Sequence, residues 1–195
     1  MPELGQHGFR HLGDRTVHQG HIWHVAVASF ESPDGEEFER DIVRSPGAVA
    51  AVPLVFDAEG NASVVLVEQY RAAFDALVLE VPAGMRDVPG EPTELTAARE
   101  LVEEVGLVAG RLQHLVDYYS SAGMTDSVLT LYLATDLSPV ERETHGPEEA
   151  HSRIVHLPFD AAIAMIGTGE IRDSKTIIGL LLVDRTLRTG QTLGG

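Results

Sequence analysis

The sequence contains no cysteine, and lysine occurs only once, at Lys175. Without cysteine the chain cannot form disulfides or thiolate metal sites. The net charge of −16 argues against a nucleic-acid surface, which needs clustered positive charge. No run of 18 apolar residues occurs, and no basic segment leads into an apolar stretch near the N-terminus. We therefore expect a cytoplasmic protein with no membrane or nucleic-acid partner.

The chain does contain enough apolar sequence for a substantial core. It has 195 residues, of which 44% are hydrophobic, and this size predicts one domain with a small appendage. We assign a strand appendage to residues 1–45, in which the first twelve residues or so form a loose lead. The main domain is predicted at 46–190, and the tail at 191–195 is expected to fray.

Apolar runs bounded by turn residues predict a mixed set of strands and helices. The predicted strands are Thr16–His18, Ile22–Phe30, Glu37–Arg44, Ala48–Phe56, Ser63–Gln69, Leu77–Val81, Leu112–Tyr119, Ser127–Thr135 and Ile154–Leu157. The predicted helices are Thr93–Val105, Phe159–Ile166 and Ser174–Leu187. Mixed strands around one helix, with another helix behind them, indicate the α/β class and an α/β/α sandwich with a mixed sheet.

The first of these helices has clear end signals and an apolar stripe. Pro92 suits a first-turn position, because proline has no N–H to lose there. Gly106 suits a left-handed stop at the C-terminal end. The spacing predicts a buried stripe of Leu95, Ala98, Val102 and Val105.

Another face of this helix carries glutamates at helical spacing. Glu100, Glu103 and Glu104 are neighbours there, and each like-charged pair costs about 0.2–0.5 kcal/mol. Arg99 can pair only with Glu103, at i+4 on the helix. Mg²⁺ would turn the repulsion into ligation, because it binds through one or two carboxylates together with substrate phosphate oxygens. On charge pattern alone, a solvated acidic face is the competing interpretation.

The order of residues favours the metal site. The segment "RELVEEVGL" at Arg99–Leu107, with Glu91 and Gly84 before it, resembles the Nudix box of the Nudix hydrolases. Six residues, where the family has five, separate Gly84 from Glu91, and we place the extra residue in the loop "DVPG". The resemblance implies the same α/β/α fold.

Further segments resemble the ADP-ribose pyrophosphatase branch of that family. They are "VEQYR" at Val67–Arg71, "LEVPAG" at Leu79–Gly84 and "GEIRDSKTIIGLLL" at Gly169–Leu182. In that branch the N-terminal strands swap across a homodimer and help to bind the adenosine end of the substrate. Two features of the branch are replaced, a proline by Ala122 and a glutamate by Ser127.

The resemblance implies a role for each of several residues. Glu100, Glu104 and the carbonyl of Ala83 would bind Mg²⁺, or Mn²⁺ in its place, with Glu103 and Glu91 in support. Arg99 would orient the carboxylates, and an ordinary helix salt bridge is its compatible alternative. The general base would be Glu149 in "PEEAHSRIVHLPF", with Glu148 as its rival. Substrate contacts are expected at Arg71, Arg40, Trp23, Glu80 and Met124.

These assignments predict Mg²⁺-dependent hydrolysis of ADP-ribose to AMP and ribose 5-phosphate by a homodimer. Two alternatives from the same family are a pyrophosphatase for another nucleoside-diphosphate sugar or nucleotide, and a non-catalytic ADP-ribose sensor. A transition-metal site at His18, His21 and His24 is not expected, because strand residues three apart point to opposite faces.

Overall fold

The computed structural model describes residues 7–143 and 150–190, which form ten strands and three helices. The chain divides into two compact units. The first unit comprises the residues up to Gly47 together with Tyr119–Val128. The second comprises Ala48–Tyr118 and the residues from Leu129 onward. None of the described helices is long and apolar enough to cross a membrane.

The first unit contains a three-stranded antiparallel sheet in the order β1-β2-β3. Its strands are β1 (Arg10–Gln19), β2 (His24–Glu31) and β3 (Glu37–Arg44). The prediction of a loose lead over the first twelve residues is wrong for Arg10 onward, because β1 pairs with β2 from there. Nine of the ten positions in β1 are exposed, so the strand has no apolar face that a sequence pattern could reveal.

The second unit is built on a seven-stranded mixed sheet in the order β10-β5-β4-β9-β8, with β6 beside β5 and β7 beside β4. The strands are β4 (Ala48–Phe56), β5 (Ala62–Arg71), β6 (Ala76–Glu80), β7 (Ala83–Met85), β8 (Leu107–Tyr119), β9 (Val128–Pro139) and β10 (Arg153–Pro158). The helices are α1 (Thr93–Val105), α2 (Phe159–Thr168) and α3 (Ser174–Thr189). Strand β4 is parallel to β9 and antiparallel to β5 and β7.

Two apolar clusters lie on opposite faces of this sheet, as the alternation along β4 shows. Val52 and Leu54 belong to the cluster that includes residues of α2 and α3. Val49 and Ala51 belong to the cluster formed with α1. Alternate strand residues point to opposite faces. The sheet therefore has α1 on one face and the other two helices on the opposite face, which is the predicted α/β/α arrangement.

Helix α1 has the predicted ends, with one correction at its start. Gly106 adopts the left-handed conformation (φ 65°), and its N–H bonds to the carbonyls of Leu101 and Val102. Pro92 is the N-cap residue, with φ −59° and ψ 138°, so it precedes the first turn instead of lying in it.

The predicted apolar stripe of α1 is wrong except at Val105. The buried apolar residues are Ala97, Leu101 and Val105, spaced four apart, whereas Leu95 is 58% exposed. Ala98 and Val102 are only partly buried. The helix is rotated from the expected orientation because its buried sector also includes two glutamates.

Candidate active site

Two glutamates of α1 are buried against the segment that leads from β6 into β7. Glu104 is 4% exposed, and its Oε2 accepts a hydrogen bond of 2.9 Å from the N–H of Ala83. Glu100 is 8% exposed and lies directly on Gly84. A Cβ at Gly84 would overlap the carboxyl carbon and both carboxylate oxygens of Glu100. With the carboxylate in this position, only glycine fits at residue 84.

Arg99 lies among the acidic side chains of α1 and of the loop before it. Its Nη1 is 3.0 Å from Glu103 Oε2 and 3.0 Å from Glu100 Oε1. Its Nη2 is 3.3 Å from Asp87 and 3.7 Å from Glu91. Burial lowers the pKa of the guanidinium, but the surrounding carboxylates outweigh this and raise it. The predicted pairing with Glu103 is confirmed, and the prediction that it is the only partner is wrong.

The loop in which we place the extra residue before Glu91 contains a tight turn. The N–H of Glu91 bonds to the carbonyl of Val88 at 3.2 Å. Pro89 and Gly90 occupy the two central positions, and Gly90 has a φ of +80°. Proline followed by a left-handed glycine is the signature of a type II turn. The turn leaves the Glu91 carboxylate 2.8 Å from the hydroxyl of Thr96, which donates to it.

This set of donors fits a hard divalent cation. Within residues 7–143 and 150–190, no three Asp, Glu, His or Cys side chains form a group that could hold a metal by themselves. Mg²⁺ does not need such a group, since one or two carboxylates with waters and phosphate oxygens suffice. Glu100 and Glu104 are two buried carboxylates one helical turn apart, and buried anions require compensating charge. Arg99 supplies part of that charge.

Arg71 is held on one edge by a buried carboxylate. Its Nε and Nη2 donate to the two oxygens of Glu80, both at 2.7 Å. Glu80 is 2% exposed and also forms an ion pair with Lys175. Burial raises the pKa of Glu80, but the bonds from Arg71 and the charge of Lys175 outweigh it and the pKa is lowered. The pKa of Arg71 is raised, first by these bonds and further by the charges of Glu80 and Glu104.

Other substrate residues expected from the sequence lie in the first unit. Arg40 and Met124 line one cavity of about 500 Å³, together with His7, Phe9, Phe30, Phe38, Ile42, Arg44, Ala122, Gly123, Thr125 and Asp126. The guanidinium of Arg40 lies 4.7 Å from the centre of the Phe38 ring. Trp23 is 47% exposed. Its carbonyl accepts a hydrogen bond from the N–H of Gly20, which places Trp23 in the turn between β1 and β2. Trp23 does not line this cavity.

The remaining candidates are Glu148 and Glu149, which lie outside the described residues. Their assignment as general base therefore stays a prediction.

The family model for the NUDIX domain matches residues 45–178, which contain all of α1 and the segment it packs against. The chain belongs to the Nudix family. The predicted resemblance is thereby confirmed.

Two relatives of this Nudix protein are similar over most of their length. The ADP-ribose pyrophosphatase of Mycobacterium tuberculosis is 38% identical over 180 residues, which cover 92% of this chain and 85% of the relative. The methanol dehydrogenase activator of Bacillus methanolicus is 34% identical over 164 residues, covering 84% and 86%.

A solved structure confirms the fold class of the Nudix protein. The crystal structure of an ADP compounds hydrolase superposes with a TM-score of 0.78 over 93% of this chain and 95% of that chain. The two sequences are 24% identical, so this likeness concerns the fold alone.

Sequence reasoning missed three residues near the Nudix site, all at the start of α3, of which two are buried and Asp173 is partly buried. Asp173 caps the helix through the N–H of Thr176, and it forms an ion pair of 3.0 Å with Lys175. Lys175 and Thr176 are 8% and 0% exposed. One signal was available, because a lysine that occurs only once and begins an apolar helix needs a buried partner. Nothing local in the sequence indicates that this partner is Glu80.

Proposed function

We propose that this Nudix protein hydrolyses the pyrophosphate bond of ADP-ribose, giving AMP and ribose 5-phosphate, with Mg²⁺ as its metal ion. The observation that carries the hydrolytic part is the packing of Glu100 and Glu104 against Gly84 and Ala83. The substrate is suggested by the ADP-ribose pyrophosphatase of M. tuberculosis, to which most of the chain is similar.

Hydrolysis requires that water add to one phosphorus while the bridging oxygen leaves. The phosphate oxygens repel the incoming water, so their charge must be neutralised. Glu100, Glu104 and the carbonyl oxygen of Ala83 would hold the ion, with Glu103 and Glu91 in support. When bound there, a divalent ion supplies positive charge beside the phosphate oxygens. Mn²⁺ has similar ligand preferences and is expected to substitute.

Two arginines have distinct tasks in this proposal. Arg99 orients the acidic side chains, since it contacts carboxylates on α1 and on the loop before it. Arg71 binds the substrate's phosphate. Glu80 occupies its Nε and Nη2, and no described residue bonds to its Nη1. A charge-assisted bond from that remaining edge suits a phosphate oxygen. Glu80 then acts by fixing Arg71, because it is too buried to meet the substrate itself.

The general base in this proposal is Glu149, and its role rests on the resemblance alone. Glu149→Gln should lower kcat by about 10²–10⁴-fold with little change in ADP-ribose binding, because only proton removal from water is lost. Steady-state kinetics and equilibrium binding would separate the two quantities. Glu148→Gln is the matched control, and a larger loss of kcat in that variant would move the base to Glu148.

The first unit completes the proposal as the site for the nucleoside end. Arg40 and Met124 would contact it in their cavity, and Trp23, which lies outside that cavity, would stack on a base through its exposed indole. A homodimer and a cytoplasmic location also belong to this proposal.

The deciding experiment is AMP release from ADP-ribose with Mg²⁺. ADP-glucose, GDP-mannose, diadenosine polyphosphates and nucleoside triphosphates serve as competitors at equal concentration. Preference for ADP-ribose supports the proposal, and preference for another compound keeps the chemistry but changes the substrate. Glu104→Gln should abolish turnover, and near-normal activity in that variant would contradict the metal assignment. Binding of ADP-ribose without turnover of any compound would make the protein a sensor.

A further inference from the structure

The segment Glu80–Gly84 is anchored from a distant part of the chain. The N–H of Val81 donates to the hydroxyl oxygen of Thr176 at 2.8 Å, across 95 sequence positions. The same hydroxyl donates to Asp173 Oδ2 at 2.7 Å. A hydroxyl has one proton to donate, and here both its donor and acceptor functions are used. The N-terminal turn of α3 therefore fixes the peptide group of Val81 in one orientation.

The next three residues of this segment, Pro82, Ala83 and Gly84, also contact other parts of the second unit. The carbonyl of Pro82 accepts a bond of 3.0 Å from the N–H of Ala51 in β4. The N–H of Ala83 donates to Glu104, and Gly84 lies against Glu100. The contacts of Val81 and Ala83 are thus two residues apart on one extended segment. Movement of Val81 would be transmitted to Ala83 and to the carboxylate bound to its N–H.

We infer that Thr176 is a positioning residue for the metal site, an inference that rests on the proposed function of Glu100, Glu104 and Ala83. Thr176 is 0% exposed, so it cannot touch substrate or ion. It acts through the N–H of Val81, and the affected groups are the Ala83 carbonyl and the Glu104 carboxylate. Thr176 is not part of the Nudix box, because the box ends at Leu107 and Thr176 lies far beyond it in sequence.

Two substitutions of Thr176 can separate the effect of its side-chain shape from the effect of its hydroxyl hydrogen bonds. Thr176→Val keeps the branched shape but leaves the Val81 N–H and one Asp173 oxygen without this partner. Thr176→Ser keeps the hydroxyl and both bonds. Thr186→Val is the matched control on the same helix, because among the described residues the Thr186 hydroxyl bonds only to the Leu182 carbonyl of its own helix.

The readout is Mn²⁺ affinity without substrate, measured from the electron paramagnetic resonance signal of free Mn²⁺. Loss of a group that orients metal ligands typically weakens metal binding by about 10-fold to 100-fold, and we expect a loss in this range for Thr176→Val. Thr176→Ser and Thr186→Val should bind Mn²⁺ as the wild type does. A general loss of stability would not reproduce this pattern, since affinity is measured on protein shown to be folded by circular dichroism.

Equal Mn²⁺ affinity in folded Thr176→Val and wild type would overturn the inference while leaving the proposed function intact. If Thr176→Val does not fold, Thr176→Cys replaces it, because a thiol is a weak hydrogen-bonding group. Equal affinity in that variant overturns the inference in the same way. If the wild type binds Mn²⁺ no better than Glu104→Gln does, the metal site of the proposed function fails, and this inference fails with it.

Discussion

At the scale of single residues, Gly84 lies against the carboxylate of Glu100. The carboxylate of Glu100 occupies the volume that any side chain at this position would need. Its backbone is not in the left-handed region, so the requirement is one of space and not of conformation. The glycine that opens the Nudix box is therefore explained by the burial of a box glutamate.

We expect Gly84→Ala to lower turnover about 100-fold, because a displacement of the reacting geometry by about 1 Å has costs of this size. Steady-state kinetics with saturating Mg²⁺ would measure the loss. Gly167→Ala is the control, since a Cβ at Gly167 in α2 would meet no atom within 4 Å. That variant should keep full activity. Near-normal turnover in Gly84→Ala would show that Glu100 can move without consequence.

At the scale of secondary-structure elements, α1 serves both the core and the site. Leu101 is 0% exposed in the cluster with Val65 and Tyr132, whereas Leu95 is 58% exposed. Leu101→Ala should lower the free energy of unfolding by about 2–5 kcal/mol through lost burial and a residual cavity. Leu95→Ala should change it by about 0.5 kcal/mol or less. Urea denaturation of the two variants would test this orientation of α1. If Leu95 were the buried residue, Leu95→Ala would cause the larger loss of unfolding free energy.

The sequence was sufficient for the bounds of α1 but not for its orientation. Gly106 marks the end of the helix unambiguously, whereas both stripes contain apolar residues at helical spacing. The predicted stripe left Glu100 and Glu104 on a different face from the buried apolar residues, whereas both glutamates are buried together with Ala97, Leu101 and Val105. The hydrogen bond from Val81 to Thr176 could not be predicted from the sequence either, because it joins two distant parts of the chain that share no sequence pattern.

The sheet of the first unit contains a pH-dependent ion pair. Arg44 donates to both oxygens of Asp14, at 2.8 and 2.9 Å, and these bonds, together with a contact of 2.7 Å to His11, lower the pKa of Asp14 from 3.8 to about 2. A lowered pKa in the folded state stabilises the protein above the unfolded value of 3.8, and this contribution is lost as pH falls towards 2.

Asp14→Asn should therefore be less stable than the wild type at about pH 6, and the difference should shrink at about pH 3. Urea denaturation of both proteins at the two pH values measures this difference. Asp34→Asn is the control in the turn between β2 and β3, since Asp34 forms no ion pair with the described residues. A difference between Asp14→Asn and wild type that stays constant with pH would rule out the titration of Asp14 as its cause.

At the scale of the whole molecule, the net charge of −16 sets the electrostatic background of the site. Self-repulsion destabilises a compact acidic chain, and any added salt relieves part of it by screening. A bound divalent ion adds a different effect, because it binds the folded state and not the unfolded one. The two effects can be separated by comparing MgCl₂ with NaCl at equal ionic strength.

We expect MgCl₂ to raise the Tm of the wild type beyond the effect of NaCl. Stabilisation reaches about 2.7 kcal/mol when the ion is at 100 times its Kd, which corresponds to about 5–10 °C for a chain of this size. Glu104→Gln should lose this excess while keeping the response to NaCl. Glu94→Gln, an exposed glutamate on the same helix, removes the same charge and should keep the excess. Equal excess shifts in Glu104→Gln and wild type would mean that Mg²⁺ stabilises the protein from some other place than α1.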